Sequence, residues 1–174
     1  WGTAPFAPTV FFLQESTANN TVDFRNAVNL NGSRTVQVNA GSAYPATMSG
    51  VISGTGAQTL TKTGVGTLAL TATNTFAGQL IVSAGTVCVP TINSNSAAGP
   101  LGSSALAVSI AGGATLEYTG ATATSDKRFT MATAGSASTF QIDSASTTQT
   151  LSGVIDGSGQ LAKSGPGTLI LSAT

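Results

Sequence analysis

The chain nearly repeats itself, and that constrains it more than any single motif. Met48-Ser49-Gly50-Val51-Ile52-Ser53-Gly54 returns 103 residues later as Leu151-Ser152-Gly153-Val154-Ile155-Asp156-Gly157. Leu60-Thr61-Lys62-Thr63-Gly64-Val65-Gly66-Thr67-Leu68-Ala69-Leu70 returns 101 residues later as Leu161-Ala162-Lys163-Ser164-Gly165-Pro166-Gly167-Thr168-Leu169-Ile170-Leu171. Upstream, Asp23-Phe24-Arg25 anticipates Asp126-Lys127-Arg128, and Val36-Gln37-Val38-Asn39 anticipates Phe140-Gln141-Ile142-Asp143. The 174 residues thus hold about 1.7 copies of a unit of ~103 residues. We divide them into an N-terminal apolar segment over 1–20, a first unit over 21–123 and a second, incomplete unit over 124–174. Self-similarity at a fixed lag marks an array in which each unit buries its apolar face by stacking on its neighbour.

The local pattern is that of short strands. In Thr67-Leu68-Ala69-Leu70-Thr71 the leucines point one way and the other three residues the opposite way, and Gln79 to Ser83 alternates likewise with Leu80 and Val82 inward. Further strands are expected at Thr35 to Asn39, Thr86 to Val89, Ala105 to Ile110, Ala114 to Tyr118, Ser138 to Ile142 and Thr168 to Leu171. Between them lie Asn31-Gly32-Ser33, Gly54-Thr55-Gly56, Gly64-Val65-Gly66, Gly112-Gly113 and Gly157-Ser158-Gly159, which suit tight corners. No window has a helical period. Separate sandwich domains would each need an aromatic core, yet aromatic residues make up 6% of the chain and no linker divides the copies. The expected fold is all-β, a right-handed parallel β-helix or β-solenoid with several coils per sequence unit.

Charge excludes several partners. Only 7% of residues are charged, the formal net charge is zero and there is no histidine. Such a surface lacks the clustered Lys and Arg that nucleic acid or an anionic membrane surface requires. The apolar run Val10-Phe11-Phe12-Leu13 is too short to span a bilayer, so no membrane insertion is expected of this segment. The opening without Met and the half-finished second copy suggest a processed or partial product, or a strand supplied by another subunit. Cys88, the only cysteine, is expected to face outward between inward Val87 and Val89, which leaves no intrachain disulfide.

Leu60 to Gly78, followed by Ile81-Val82-Ser83-Ala84-Gly85-Thr86-Val87, resembles the autotransporter-associated β-strand repeat, and Leu161 to Thr174 resembles its first half. Its scaffold positions here are Lys62, Gly64, Gly66, Leu68 and Leu70, and in the second copy Lys163, Gly165, Gly167, Leu169 and Leu171. The resemblance implies an extracellular or bacterial cell-surface protein with a β-helical passenger, serving in adhesion, aggregation or display. Phe76 stands where that repeat commonly has tyrosine.

Candidates for chemistry are few. Without histidine there is no Ser-His-Asp or Cys-His arrangement and no imidazole zinc site. Neither a phosphate-cradling loop nor a calcium-binding glycine-aspartate nonapeptide is present, so no cofactor and no metal are expected. Asp126, Lys127, Arg128, Asp143 and Asp156 are the best catalytic set for a polysaccharide-degrading β-helix, but isolated solubilising charges on corners explain them better. Asp23 with Arg25, recurring as Asp126 with Arg128, suggests an ion pair repeated with the unit. Lys62 and Lys163 share strand parity with the preceding leucines, so their stems are expected to cover apolar surface while each ammonium reaches a corner carbonyl. Asn19 and Asn31 fit the glycosylation acceptor pattern but read as turn residues. Trp1, Tyr44, Tyr118 and the phenylalanines are too scattered to form a sugar-stacking strip.

The expected role is therefore non-enzymatic: a structural component of a surface or secreted fibre or stalk. Self-association is expected, through head-to-tail copies or adjoining repeats of a longer chain. Val10, Phe11, Phe12 and Leu13 are the expected assembly strand at one end, meeting the repeat that carries Leu169 and Leu171 at the other. The alternative is an adhesin or carbohydrate-binding passenger module that engages surface glycans or matrix through its lateral face.

Overall fold

The computed structural model describes residues 9–173 apart from 16, 18 and 42. No helix occurs among them, and the chain winds through nineteen short strands. In order these are β1 Val10–Gln14, β2 Val22–Phe24, β3 Val28–Asn29, β4 Arg34–Val38, β5 Ala46–Met48, β6 Ile52–Ser53, β7 Leu60–Thr63, β8 Thr67–Leu70, β9 Leu80–Val82 and β10 Thr86–Val89. They continue as β11 Val108–Ile110, β12 Thr115–Tyr118, β13 Ala123–Ser125, β14 Phe129–Met131, β15 Ala137–Ile142, β16 Thr148–Leu151, β17 Ile155–Gly157, β18 Gln160–Ser164 and β19 Thr168–Leu171.

These strands stack into a parallel β-solenoid of seven coils. Sheet one runs β1-β4-β7-β9-β11-β14-β17, and sheet two runs β2-β5-β8-β10-β12-β15-β18. The third face carries β3-β6 near one end and β13-β16-β19 near the other. Between those two ladders Thr75 and Ala77 donate their amides to Ile52 O and Gly54 O, which keeps the third face in step without a regular strand. Along sheet one the coil length varies from 20 residues, Thr61 to Ile81, to 28, Ile81 to Ser109. The difference is absorbed in corners and in the long connection from Pro90 to Ala107. Seven rungs at the strand spacing make a shaft about 29 Å long.

Strict alternation fills the lumen. Leu68, Val87, Leu116 and Phe140 form one inward column of sheet two, and Val36, Lys62, Val82, Ile110 and Met131 form one of sheet one. Phe129 and Phe140 meet edge to face across the lumen, with centroids 4.9 Å apart, and so tie the two sheets together. Val87 and Val89 are inward and Cys88 outward, as alternation requires. Thr67 departs from expectation, because the neighbouring rungs cover it to 6% exposure although it points away from the lumen.

The sequence unit and the coil are out of step. Leu60–Thr63 is a rung of sheet one, yet its counterpart beginning at Leu161 is a rung of sheet two. Thr67–Leu70 lies in sheet two and Thr168–Leu171 on the third face, while Ile52–Ser53 lies on the third face and Ile155–Gly157 in sheet one. Each copy therefore stands four turns and one face beyond its predecessor. Related sequences can build different faces because what they share is a corner, not an address on the shaft.

Candidate functional site

That corner begins with the inward lysine of the repeat. Lys62 is fully buried, and its Nζ donates to Thr63 O at 2.9 Å, Gly64 O at 2.8 Å and Ala84 O at 3.1 Å. Burial pushes its pKa down to about 8. Lys163 repeats the contacts in the last coil, donating to Ser164 O at 3.2 Å and Gly165 O at 2.5 Å, but there it is exposed. Gly64 and Gly165 have φ of +76° and +73°, and a Cβ on either would lie 2.3 Å from a carbonyl oxygen of the coil beneath. Gly66 and Gly167 are tight against the preceding coil as well, and Leu68 and Leu70 are fully buried.

A second lysine is enclosed where the sequence suggested a solvent-facing charge. Lys127 is fully buried and donates to Ser104 O at 3.0 Å and Gly102 O at 3.4 Å. Burial lowers its pKa to about 8, partly offset by Asp126. It occupies the place that Phe24 takes in the first unit, an inward position, and the repeat alignment itself carried that signal. The carbonyls that receive it belong to the Pro90–Ala107 connection. Asn93 staples that connection, with Nδ2 donating to Ala97 O at 2.7 Å and Gly102 O at 2.9 Å and Oδ1 accepting from Leu101 N at 3.0 Å.

The connection also overturns the expected repeated ion pair. Arg25 and Asp23 pair at 2.8 Å, and Ser49 and Arg25 hold the Asp23 carboxyl below the usual carboxylate range. Asp126 instead accepts the Asn95 amide at 2.7 Å, because the long connection brings a donor to it, and no pair with Arg128 occurs among the described residues. Nor does the fold gather the best catalytic set. Asp143 follows a rung of sheet two, Asp156 sits on a rung of sheet one hydrogen-bonded to Thr130 at 2.7 Å, and Lys127 is inside.

What the fold does gather lies on the outer face of sheet two. Thr67, Thr86, Thr115 and Thr139 form one column, and Thr47, Ala69, Cys88, Glu117 and Gln141 form the next. Between them runs a groove of about 310 Å³, with Pro45 at one end and Glu117 and Gln141 at the other. Beside it the Glu117 carboxyl is hydrogen-bonded to Asp143, whose Oδ1 also accepts from Gln141 Nε2 at 2.8 Å. Burial and the neighbouring Asp143 push the Glu117 pKa up to about 7. Burial, with Glu117 and Asp143 nearby, pushes the Cys88 thiol up to about 12, so it stays protonated and unreactive. Glu117 went unnoticed in the sequence because its partners are set by coil length, which a single chain does not print.

The assembly residues occupy the two end coils. Val10–Gln14 pairs with β4 on one edge and, among the described residues, with no strand on the other, with Phe11 packed at 5.3 Å on Phe24 and Phe12 exposed. Leu169 is half-buried and Leu171 exposed on β19, which among the described residues pairs with β16 alone. Trp1 and Phe6 lie outside the described residues.

Comparison with known proteins agrees with this architecture. The family model of the passenger-associated transport repeat matches residues 60–88 and 161–174, the two corner-forming segments. The adhesin BmaC autotransporter of Brucella suis biovar 1 (strain 1330) is 39% identical over 151 residues, which is 84% of this chain and 4% of that adhesin. The chain thus spans a small fraction of its relative's length. No solved structure matches it. With the repeat motif forming the corners of a parallel solenoid and an autotransporter aligned along most of its length, the chain belongs to the autotransporter passenger β-helix repeat family.

Proposed function

We propose that this chain is a stretch of the shaft of a bacterial surface adhesin, a structural solenoid whose end faces are covered by further coils of the same repeat. The observation that carries this reading is where the core is open. Among the described residues, the hydrophobics only partly buried against the core are Leu13, Val22 and Phe24 in the first coil and Ile155, Leu161 and Leu169 in the last. The inward large hydrophobics of the rungs between them are buried, and among the described residues both end coils present strand edges that can accept another rung.

The covering coils come from head-to-tail copies or from adjoining repeats. Stacking that keeps the faces continuous sets Val10–Leu13 against the open edge of β17, and sets Leu169 and Leu171 of β19 against β3. Such a contact is heterologous and does not close, so repeated copies make a filament. The relative's name supports an adhesive setting and, with it, a cell-surface or secreted location.

Negative-stain electron microscopy of the purified chain tests the homopolymer, which should give uniform unbranched filaments that shorten when residues 1–13 are deleted. Monodisperse short rods at every concentration overturn head-to-tail copying. The shaft is tested by displaying the chain through an autotransporter β-barrel. A folded, protease-resistant, surface-exposed segment is expected, and a chain that fails to cross or is degraded on the surface would sink the reading.

A further inference from the structure

The groove on sheet two has no part in stacking, since it runs along the side of the shaft and its floor belongs to interior coils. From its lining we infer that it binds a neutral, hydroxyl-rich polymer, a glycan chain lying lengthwise along the solenoid. This inference deepens the adhesive reading given above and rests on it.

Three observations carry it. The groove crosses five successive coils, from Pro45 to Gln141, so its long dimension follows the shaft and suits an extended chain better than a compact ligand. Its volume of about 310 Å³ is at the lower end of ligand-binding clefts, enough for a short run of sugar units. Its polar groups are hydroxyls of Thr67 and Thr86, the Gln141 amide and the Glu117 carboxyl, a mixture of donors and acceptors at rung spacing. Backbone amides of interior rungs are engaged in the ladders, so recognition falls to these side chains.

Charge selects the class. The groups facing Glu117 are Cys88 on β10, Gln141 on β15, and Asp143 just beyond it. Among the described residues no lysine or arginine lines the groove, and the charged group in its lining is the Glu117 carboxyl, with Asp143 beside it. A uronate, sialylated or phosphorylated chain would face unscreened like charge, whereas a neutral glycan can accept from the threonine hydroxyls and the Gln141 amide and donate to the Glu117 carboxyl. As pH rises through about 7 and Glu117 ionises, its hydrogen bond to Asp143 gives way to repulsion between neighbouring carboxylates, that wall of the groove loosens, and neutral chains should bind more weakly.

The test is amide chemical-shift mapping of the full chain with hexamers of β-1,4-linked glucose and of β-1,4-linked N-acetylglucosamine, against hexagalacturonate as the anionic probe. At about 10 mM, above a millimolar Kd, at least one neutral hexamer should move resonances of residues 67–69, 86–88, 115–117 and 139–141. Hexagalacturonate should move none. Ala69→Phe fills the groove floor from outside and should abolish the shifts while the core spectrum stays unchanged. Glu117→Gln should keep binding and remove its decline, at least threefold, between pH 6 and pH 8. No shift with either neutral hexamer, shifts confined to sheet one, or equal binding of hexagalacturonate would overturn the inference. Cell attachment by displayed protein is measured separately: attachment that persists in Ala69→Phe overturns the groove and leaves the adhesive shaft standing.

Discussion

Lys62 carries a charge into the lumen with carbonyl oxygens alone to answer it. Replacing it with methionine leaves Thr63 O, Gly64 O and Ala84 O without their donor, and should cost about 2–4 kcal/mol in chemical denaturation. The same change at exposed Lys163 should stay within about 0.5 kcal/mol, although the two sit in one motif. Gly64→Ala should cost at least about 1–3 kcal/mol from its positive φ, before the 2.3 Å clash is counted, whereas Gly41→Ala, with open space around it, should be neutral. Titration separates the buried groups by sign. Glu117 holds its proton to about 7 in the native state and to 4.5 in an unfolded chain, so its contribution is present in mild acid and is lost as pH rises through 7. Thermal melts should show that fall, and Glu117→Gln should flatten it. Lys62 and Lys127 act oppositely, because from about 8 to 10.5 the unfolded chain binds more protons than the native one. Stability should therefore climb from pH 8 to 9, beyond which Cys88, raised from 9.0 to about 12, begins to oppose it.

At the scale of the element, the Pro90–Ala107 connection is held by single side chains rather than by a ladder. Asn93→Ala removes the contacts to Ala97, Leu101 and Gly102 and should destabilise the protein by about 2–3 kcal/mol. Hydrogen exchange should quicken in residues 94–104 while β4 and β7 keep their protection. This element also shows where reading the chain succeeds and where it stops. The strands from Thr67 to Val89 were legible because inward and outward residues alternate within five-residue runs, and the corner lysine was legible from its parity with Leu60. The connection was not, because besides the local contacts of Asn93, 4 to 9 residues away, its order comes from Asn74 and Lys127 reaching across 23 to 26 residues, and those partners are fixed only when coils stack. The groove fails to announce itself for the same reason. Cys88, Glu117 and Gln141 become neighbours through the 29- and 24-residue steps between rungs, not through any motif.

Across the whole molecule, protection should grade from the ends inward. Exchange is expected to be slowest for amides of β8, β10 and β12, whose rungs are covered on both sides, and fastest for β1, β2, β18 and β19. Uniform protection in all seven coils would contradict a core left open at its ends. The displacement of one face between sequence copies has a larger geometric meaning. A tandem array built on this unit would behave like a screw with a third of a turn left over at each copy, and any residue acquired by the unit would reappear on the next side of the shaft, returning to its first side only with the fourth copy. Duplication would then wind a binding patch around the rod as a spiral, so that an anchored shaft could meet its target from whichever side approached.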